Sequence, residues 1–122
     1  AEWCYTGRVF PAEEALAGRL VSRVVTPEAL IDTARSIARE IADNTSAVSV
    51  TLTRAMLWRM LGADHPMEAH KVDSKVIFER GRSADAIEGV TAFLQKRPAV
   101  FPMKPSTGLP ACYPWWPARP FK

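Results

Sequence analysis

The sequence predicts a mainly α-helical protein with a small two-stranded β element near its N-terminus and an extended tail rich in proline and aromatic residues. Apolar residues recur at spacings of three and four through the middle of the chain, which is the helical period. Residues 5–10 and 20–25 are short and rich in β-branched and aromatic residues, as strands are. Seven of the ten prolines lie in the last 25 residues, so we expect no helix there.

The first 25 residues are predicted to form a strand, a short helix and a second strand. Pro11 opens the helix, because proline is tolerated at the first helical position. Gly18 and Arg19 end it. We expect residues 5–10 and 20–25 to pair with each other around this single helix.

Residues 26–97 are predicted to form four helices. Each starts at a capping residue, and Gly62, Gly81 and Pro98 mark helix ends. The second helix is apolar over more than one side, which favours burial on several sides or a subunit contact. The predicted helices span residues 26–42, 45 or 46 to 61, 64–80 and 83–97.

The last of these helices has a marked start and one apolar side. The Ser83 hydroxyl can accept a backbone N–H of the first turn, and Asp85 complements the positive end of the helix dipole. Ile87, Val90 and Leu94 follow at helical spacing. The sequence therefore predicts one continuous amphipathic helix over residues 83–97.

Phe93 and Lys96 are three residues apart near the end of this helix, so they share a side. Together they can present an aromatic face and a cation to one ligand. The alternative is that Phe93 belongs to the core and Lys96 is a solvated charge near the helix dipole.

The tail, residues 98–122, combines its prolines with five aromatic side chains. We predict an extended or polyproline-like conformation that docks on its own protein or on a neighbouring subunit. A second hypothesis is that the segment PWWPARP serves as a ligand for a peptide-binding partner.

The composition argues against several classes of function. A net charge of +3 with scattered basic residues does not indicate nucleic-acid binding, and no apolar run is long enough to cross a membrane. Cys4 and Cys112 are isolated, which favours a reduced, cytoplasmic compartment. No signal peptide is evident. Because the chain begins with Ala1, we expect it to be a piece of something longer.

No catalytic residue or metal ligand is predicted in this chain. His65 and His70 are five apart, which does not place them on one helix face, and no Cys/His cluster accompanies them. Glu13 and Glu14 are adjacent and point in different directions. No Ser/His/Asp or Cys/His set can be assembled from the pattern.

Four segments together resemble the C-terminal part of the crotonase superfamily, the enoyl-CoA hydratases and isomerases. They are TGRVFPAEEA at residues 6–15, LVSRVV at 20–25, IAREIADN at 37–44 and SADAIEGVTAFLQKRP at 83–98. The resemblance covers about residues 1–101, and the four motifs occur in the family's order.

The resemblance implies a division into a remnant of the crotonase core (1–25), a helical oligomerisation domain (26–97) and the tail (98–122). It also implies that the helical region packs on the N-terminal core of the parent protein and builds a homo-oligomer, a trimer or a dimer of trimers. Phe93 would contact the adenine and Lys96 a phosphate of coenzyme A bound largely by a neighbouring subunit. No prosthetic group is implied, since the CoA thioester is the substrate.

The family's chemistry uses two backbone N–H groups as an oxyanion hole, and its hydratases add two glutamates that position water and move its proton across the C2=C3 bond. The resemblance places both features upstream of Thr6. We therefore expect this chain alone to be inactive and its parent to be an enoyl-CoA hydratase or isomerase of fatty-acid or acyl-CoA metabolism. Arg19 departs from the family, which usually has glycine at this helix exit; a positive φ there would cost about 1 kcal/mol.

The residues alone leave two other classes of function open. The apolar helices could form a non-enzymatic module that serves association only. A small helical nucleic-acid binder would require a basic face and a steep salt dependence, which the scattered charges disfavour.

Overall fold

The computed structural model describes residues 1–117 and 120 and contains seven helices. The prediction of a mainly helical fold is confirmed, and no strand occurs in the described residues. The helices are α1 (Glu2–Thr6), α2 (Ala12–Ala17), α3 (Pro27–Asn44), α4 (Ala47–Met60), α5 (Pro66–Arg80), α6 (Ala84–Gln95) and α7 (Pro105–Gly108).

The chain divides into two compact units, Ala1–Ile37 and Ala38–Lys122. Each is described by itself below. The functional division predicted from the resemblance, at residues 25 and 97, stays a prediction.

The N-terminal unit is organised around the indole of Trp3. Its ring stacks on Phe10 with centroids 4.3 Å apart, and its Nε1–H donates to Glu14 at 2.8 Å. Arg8 also binds the Glu14 carboxylate. The indole lies so close to Gly18 that a Cβ there would come within 2.3 Å of it. The absence of a side chain at residue 18 therefore permits this packing.

The predicted two-stranded β element is wrong. Tyr5 and Thr6 belong to α1, which ends at Gly7 with φ 61°. After α2 the backbone N–H of Leu20 donates to the carbonyl of Ala15 at 2.8 Å, so it completes a helix end instead of a strand ladder. Two short segments without a further strand or a packed apolar face are also too weak a pair to persist in water.

Arg19 adopts the left-handed conformation, with φ 58°. The sequence predicted a cost at Arg19 if this helix exit has a positive φ, and the structure shows that it does. A residue with a Cβ pays about 1 kcal/mol for that conformation.

The four predicted helices of residues 26–97 are confirmed as α3 to α6. The Ser46 hydroxyl caps α4 by accepting from the Ser49 N–H at 3.2 Å, and His65 Nδ1 caps α5 by accepting from Met67 at 3.0 Å. By contrast, α3 buries none of its residues, and its apolar side chains Leu30 and Ile31 are each 55% exposed.

The core of the second unit lies between α4 and α5 and under the tail. Val48, Leu52 and Val76 are buried in it. Five half-buried residues of the tail pack against these three, so the expected docking of the tail on its own protein is confirmed. The five are Met103, Leu109, Cys112, Tyr113 and Trp115.

One part of the tail prediction is wrong, because α7 is helical. Pro105 stands at its start, where a missing N–H costs nothing. Gly108 lets this turn approach α4 closely, since a Cβ there would lie 3.4 Å from Val48 and 2.9 Å from Met103. The PWWPARP segment lies partly outside the described residues, and its predicted peptide-ligand role stays a hypothesis.

In the described part of the chain, no helix combines the length and the apolar character that crossing a membrane requires.

Candidate functional site

The start of α6 is fixed by a buried carboxylate. Asp85 is only 3% exposed. It accepts from the Ser46 hydroxyl at 2.6 Å, from Arg80 at 2.9 Å and from the backbone N–H of Met103 at 3.0 Å. The predicted cap is also present, since the Ser83 hydroxyl accepts from Ala86 at 3.3 Å. Asp85 therefore joins α6 to α4, α5 and the tail.

The position of Asp85 in the sequence predicts an interaction with the helix dipole but does not reveal this network. Its partners Ser46 and Met103 are 39 and 18 residues away along the chain. No local pattern signals contacts at such separations.

A second carboxylate holds the chain that leaves α6. Glu88 receives two hydrogen bonds from the guanidinium of Arg97, at 2.6 and 2.8 Å, and one from the Val100 N–H at 2.7 Å. These donors favour the ionised form, and they lower the pKa of Glu88 to about 2. Residues 97–100 are thereby bound to the middle of α6.

The structure brings the two predicted ligand residues together. Lys96 ends α6 in the left-handed conformation, with φ 55°. Its ammonium lies 4.4 Å from the centroid of the Phe93 ring. Phe93 is 71% exposed, so the alternative that it belongs to the core does not hold within this chain. An aromatic face and a cation are therefore presented together at the surface.

The apolar stripe predicted on α6 is also at the surface. Ile87, Val90 and Leu94 are 61 to 71% exposed, whereas the buried residues of α6 are Asp85 and Ala92. The aromatic–cation pair consequently sits at the end of an uncovered apolar face.

A cleft of about 550 Å³ opens beside α6, between this helix, α5 and Phe101. Its polar lining includes Arg80 and Asp85, which are already paired with each other. We assign it no chemistry.

The two histidines lie at the start and within the first turns of α5. His65 serves as the cap of α5, and His70 lies exposed on the same helix. The described residues contain no group of three or more His, Cys, Asp or Glu side chains that could hold a metal ion.

A mainly helical fold is consistent with the C-terminal helical region of a crotonase-superfamily protein. The model of the enoyl-CoA hydratase/isomerase family matches residues 1–104, and the chain belongs to that family.

Individual relatives agree. The chain is 41% identical to enoyl-CoA hydratase ACTT3 of Alternaria alternata over 75% of its own length and 31% of the relative's. It is 36% identical to the human mitochondrial enoyl-CoA hydratase domain-containing protein 3, over 85% and 34%. It is 40% identical to (E)-benzylidenesuccinyl-CoA hydratase of Thauera aromatica, over 79% and 37%. The chain thus spans about a third of the length of these curated relatives.

Proposed function

We propose that this chain supplies part of the coenzyme A site and the assembly contacts of an enoyl-CoA hydratase/isomerase-type enzyme. The observation that carries the proposal is the exposed pair of Phe93 and Lys96 at the end of α6, in a chain of this family. The parent protein would add water across the C2=C3 bond of an enoyl-CoA thioester or shift that bond.

The chemistry of the pair suits the nucleotide end of coenzyme A. A phenylalanine ring offers a stacking face for adenine, worth about 1–3 kcal/mol per base. A lysine is a mobile point charge suited to phosphate. In the free chain the ammonium covers one face of the Phe93 ring. The base would therefore use the other face, or displace the ammonium toward a phosphate.

The reacting centre would lie outside this chain. We propose that the oxyanion hole and the glutamates of the hydratases belong to an N-terminal core, that no prosthetic group takes part, and that the chain alone is inactive. The names of the relatives include both simple enoyl-CoA hydratases and a benzylidenesuccinyl-CoA hydratase, so the proposal is limited to the CoA-thioester class.

The test compares variants of the full-length protein. Lys96→Ala keeps a Cβ in the left-handed position, so it removes the ammonium without altering the backbone strain. We expect the KM for a CoA thioester to rise about 2- to 5-fold, the size of an exposed ion pair, with little change in kcat. Phe93→Leu should raise KM about fivefold or more. Lys75→Ala, an exposed lysine of α5, is the matched control.

A substrate truncated to the pantetheine thioester serves as a further control, because it lacks adenine and the nucleotide phosphates. Lys96→Ala should leave its KM unchanged. An unaltered KM for the complete CoA thioester would remove Lys96 from the site.

The assembly role is supported by the apolar surface that the chain exposes on α3, α4 and α6. Leu30, Leu57 and Leu94 are 55, 67 and 71% exposed. We propose that such faces are covered in a homo-oligomer, a trimer or a dimer of trimers, and by the N-terminal core. We place the protein in the cytoplasm, a proposal supported only by its two free cysteines.

The same exposed surface favours a second candidate, a non-enzymatic helical module that serves association alone. Solution mass combined with a CoA titration separates the two. Association without any CoA-dependent signal, even in the full-length protein, would favour the second candidate.

A further inference from the structure

We propose that a cleft between α4 and the tail binds a single aromatic ring that carries an anionic group, a carboxylate or a phosphate. The cleft has a volume of about 350 Å³. Its lining consists of two arginines, three aromatic residues and one alanine. These are Arg54, Ala55, Trp58, Arg59, Tyr113 and Trp116.

The two arginines bring positive charge to the cleft. Neither Arg54 nor Arg59 takes part in an ion pair among the described residues, where the ion pairs engage five other arginines and Lys71. Two guanidiniums at one small cleft favour an anion, because each offers a fork of N–H donors that matches carboxylate or phosphate. The paired arginines are Arg8, Arg35, Arg39, Arg80 and Arg97.

The aromatic side chains supply flat walls whose orientation is already set. Trp116 makes edge-to-face contacts with Tyr113 and Trp115, at centroid distances of 5.2 and 4.9 Å. Tyr113 and Trp115 in turn pack on the buried core. Trp58, by contrast, is 67% exposed at the cleft. A planar ligand would bury this indole.

Arg59 links the two halves of the cleft. Its guanidinium carbon lies 4.3 Å from the centroid of the Trp116 ring. Stacking uses the face of a guanidinium and leaves the N–H groups at its edge free to donate. The same contact could serve only to hold the tail. However, it would then explain neither Arg54, which makes no cation–π contact among the described residues, nor the exposed indole of Trp58.

The volume of the cleft limits the size of the ligand that it can bind. About 350 Å³ lies at the small end of the roughly 300–1,000 Å³ usual for small-molecule sites. That volume suits one ring with its anionic substituent better than a nucleotide or a coenzyme. The cleft shares no residue with the Phe93–Lys96 pair, and this proposal does not depend on the proposed function.

The test uses four probes on the protein: benzoate, phenyl phosphate, cyclohexanecarboxylate and inorganic phosphate. Binding is measured by calorimetry and by the NMR signals of the indole N–H groups, assigned with single Trp→Phe variants. We expect benzoate or phenyl phosphate to shift the signals of Trp58 and Trp116, and the tighter of the two identifies the anion. Cyclohexanecarboxylate and inorganic phosphate, which lack the aromatic ring, should bind at least about tenfold more weakly.

Variants of the cleft complete the test. Arg54→Gln and Arg59→Gln should each weaken the aromatic anion about tenfold, as expected for loss of a charge-assisted hydrogen bond. Arg54→Gln is the more informative, since the guanidinium stacked on Trp116 is that of Arg59 and stays in place in this variant. Arg35→Gln, a change of the same charge on an exposed side chain of α3, is the control.

Three results would overturn the proposal. The first is that no aromatic anion binds up to millimolar concentration while circular dichroism shows a folded chain. The second is that the two non-aromatic probes bind as tightly as their aromatic counterparts. The third is that Arg54→Gln and Arg35→Gln have the same effect.

Discussion

Removal of the Asp85 carboxylate should destabilise the second unit more than any change to an exposed acid. Asp85 is 3% exposed, and its partner Arg80 is 12% exposed. The carboxylate also accepts from the Ser46 hydroxyl and the Met103 N–H, at 2.6 and 3.0 Å. In Asp85→Ala all three donors lose their acceptor at once.

The expected loss in the free energy of unfolding follows from the charge of Arg80, which stays buried without its partner. Removing one member of a buried ion pair costs about 3–5 kcal/mol, because the other charge stays buried without compensation. Arg80 retains some access to water, so we expect a loss near the lower limit, about 3 kcal/mol. Asp85→Asn keeps an acceptor oxygen for Met103 but loses the charge, and it should cost less than Asp85→Ala.

Urea unfolding followed by circular dichroism measures the free energy of unfolding of each variant. Asp43→Ala is the matched control, because Asp43 is 58% exposed and pairs with Arg39 at 3.6 Å; its change should stay within about 0.5 kcal/mol. Combining Arg80→Met with Asp85→Ala should recover part of the loss, since no charge is then stranded. A loss below about 1 kcal/mol for Asp85→Ala would refute the assigned role.

Two further predictions concern α6 and the exit of α2. Ionised Glu88 has a folded pKa of about 2, below the usual value near 4.5, so it stabilises the fold fully above pH 4.5 and loses that contribution as the pH falls toward 2. Glu88→Gln should flatten the decline of the urea midpoint between these values; an unchanged slope would contradict the role given to Arg97. Arg19→Gly should stabilise the protein by up to about 1 kcal/mol, because the φ of 58° then carries no penalty. Ala17→Gly serves as its control, and destabilisation by Arg19→Gly would contradict the reasoning.

The helices of residues 26–97 were predictable because their signals are local. Ser46 and Ser83 cap α4 and α6 through hydroxyls that act within three residues. Such contacts are visible in a short window of sequence. The prediction of a β element was wrong because strand formation depends on contacts that are not local in the sequence. A strand needs a partner elsewhere, and the β-branched composition of residues 20–25 carries no information about whether one is present.

The candidate site, too, was predictable only where its signals are local in the sequence. The spacing of Phe93 and Lys96 predicted their shared surface, and the structure adds that the left-handed turn at Lys96 accompanies an ammonium placed over the ring. The cleft at Arg54 and Arg59 could not be predicted, since its other wall comes from Tyr113 and Trp116, more than fifty residues later. Only the docking of the tail brings these groups together.

Two carboxylates connect α6 to the rest of the second unit, which the exposed apolar stripe of this helix does not do within the chain. The stripe on α6 is exposed, so burial of that stripe does not hold the helix in place. Instead, Asp85 binds its first turn to α4, α5 and the tail, and Glu88 binds the chain that follows it. The side chains of Phe93 and Lys96 take no part in these contacts. It follows that stability and ligand contact are separable on this helix: the acids carry the first, and Phe93 with Lys96 would carry the second.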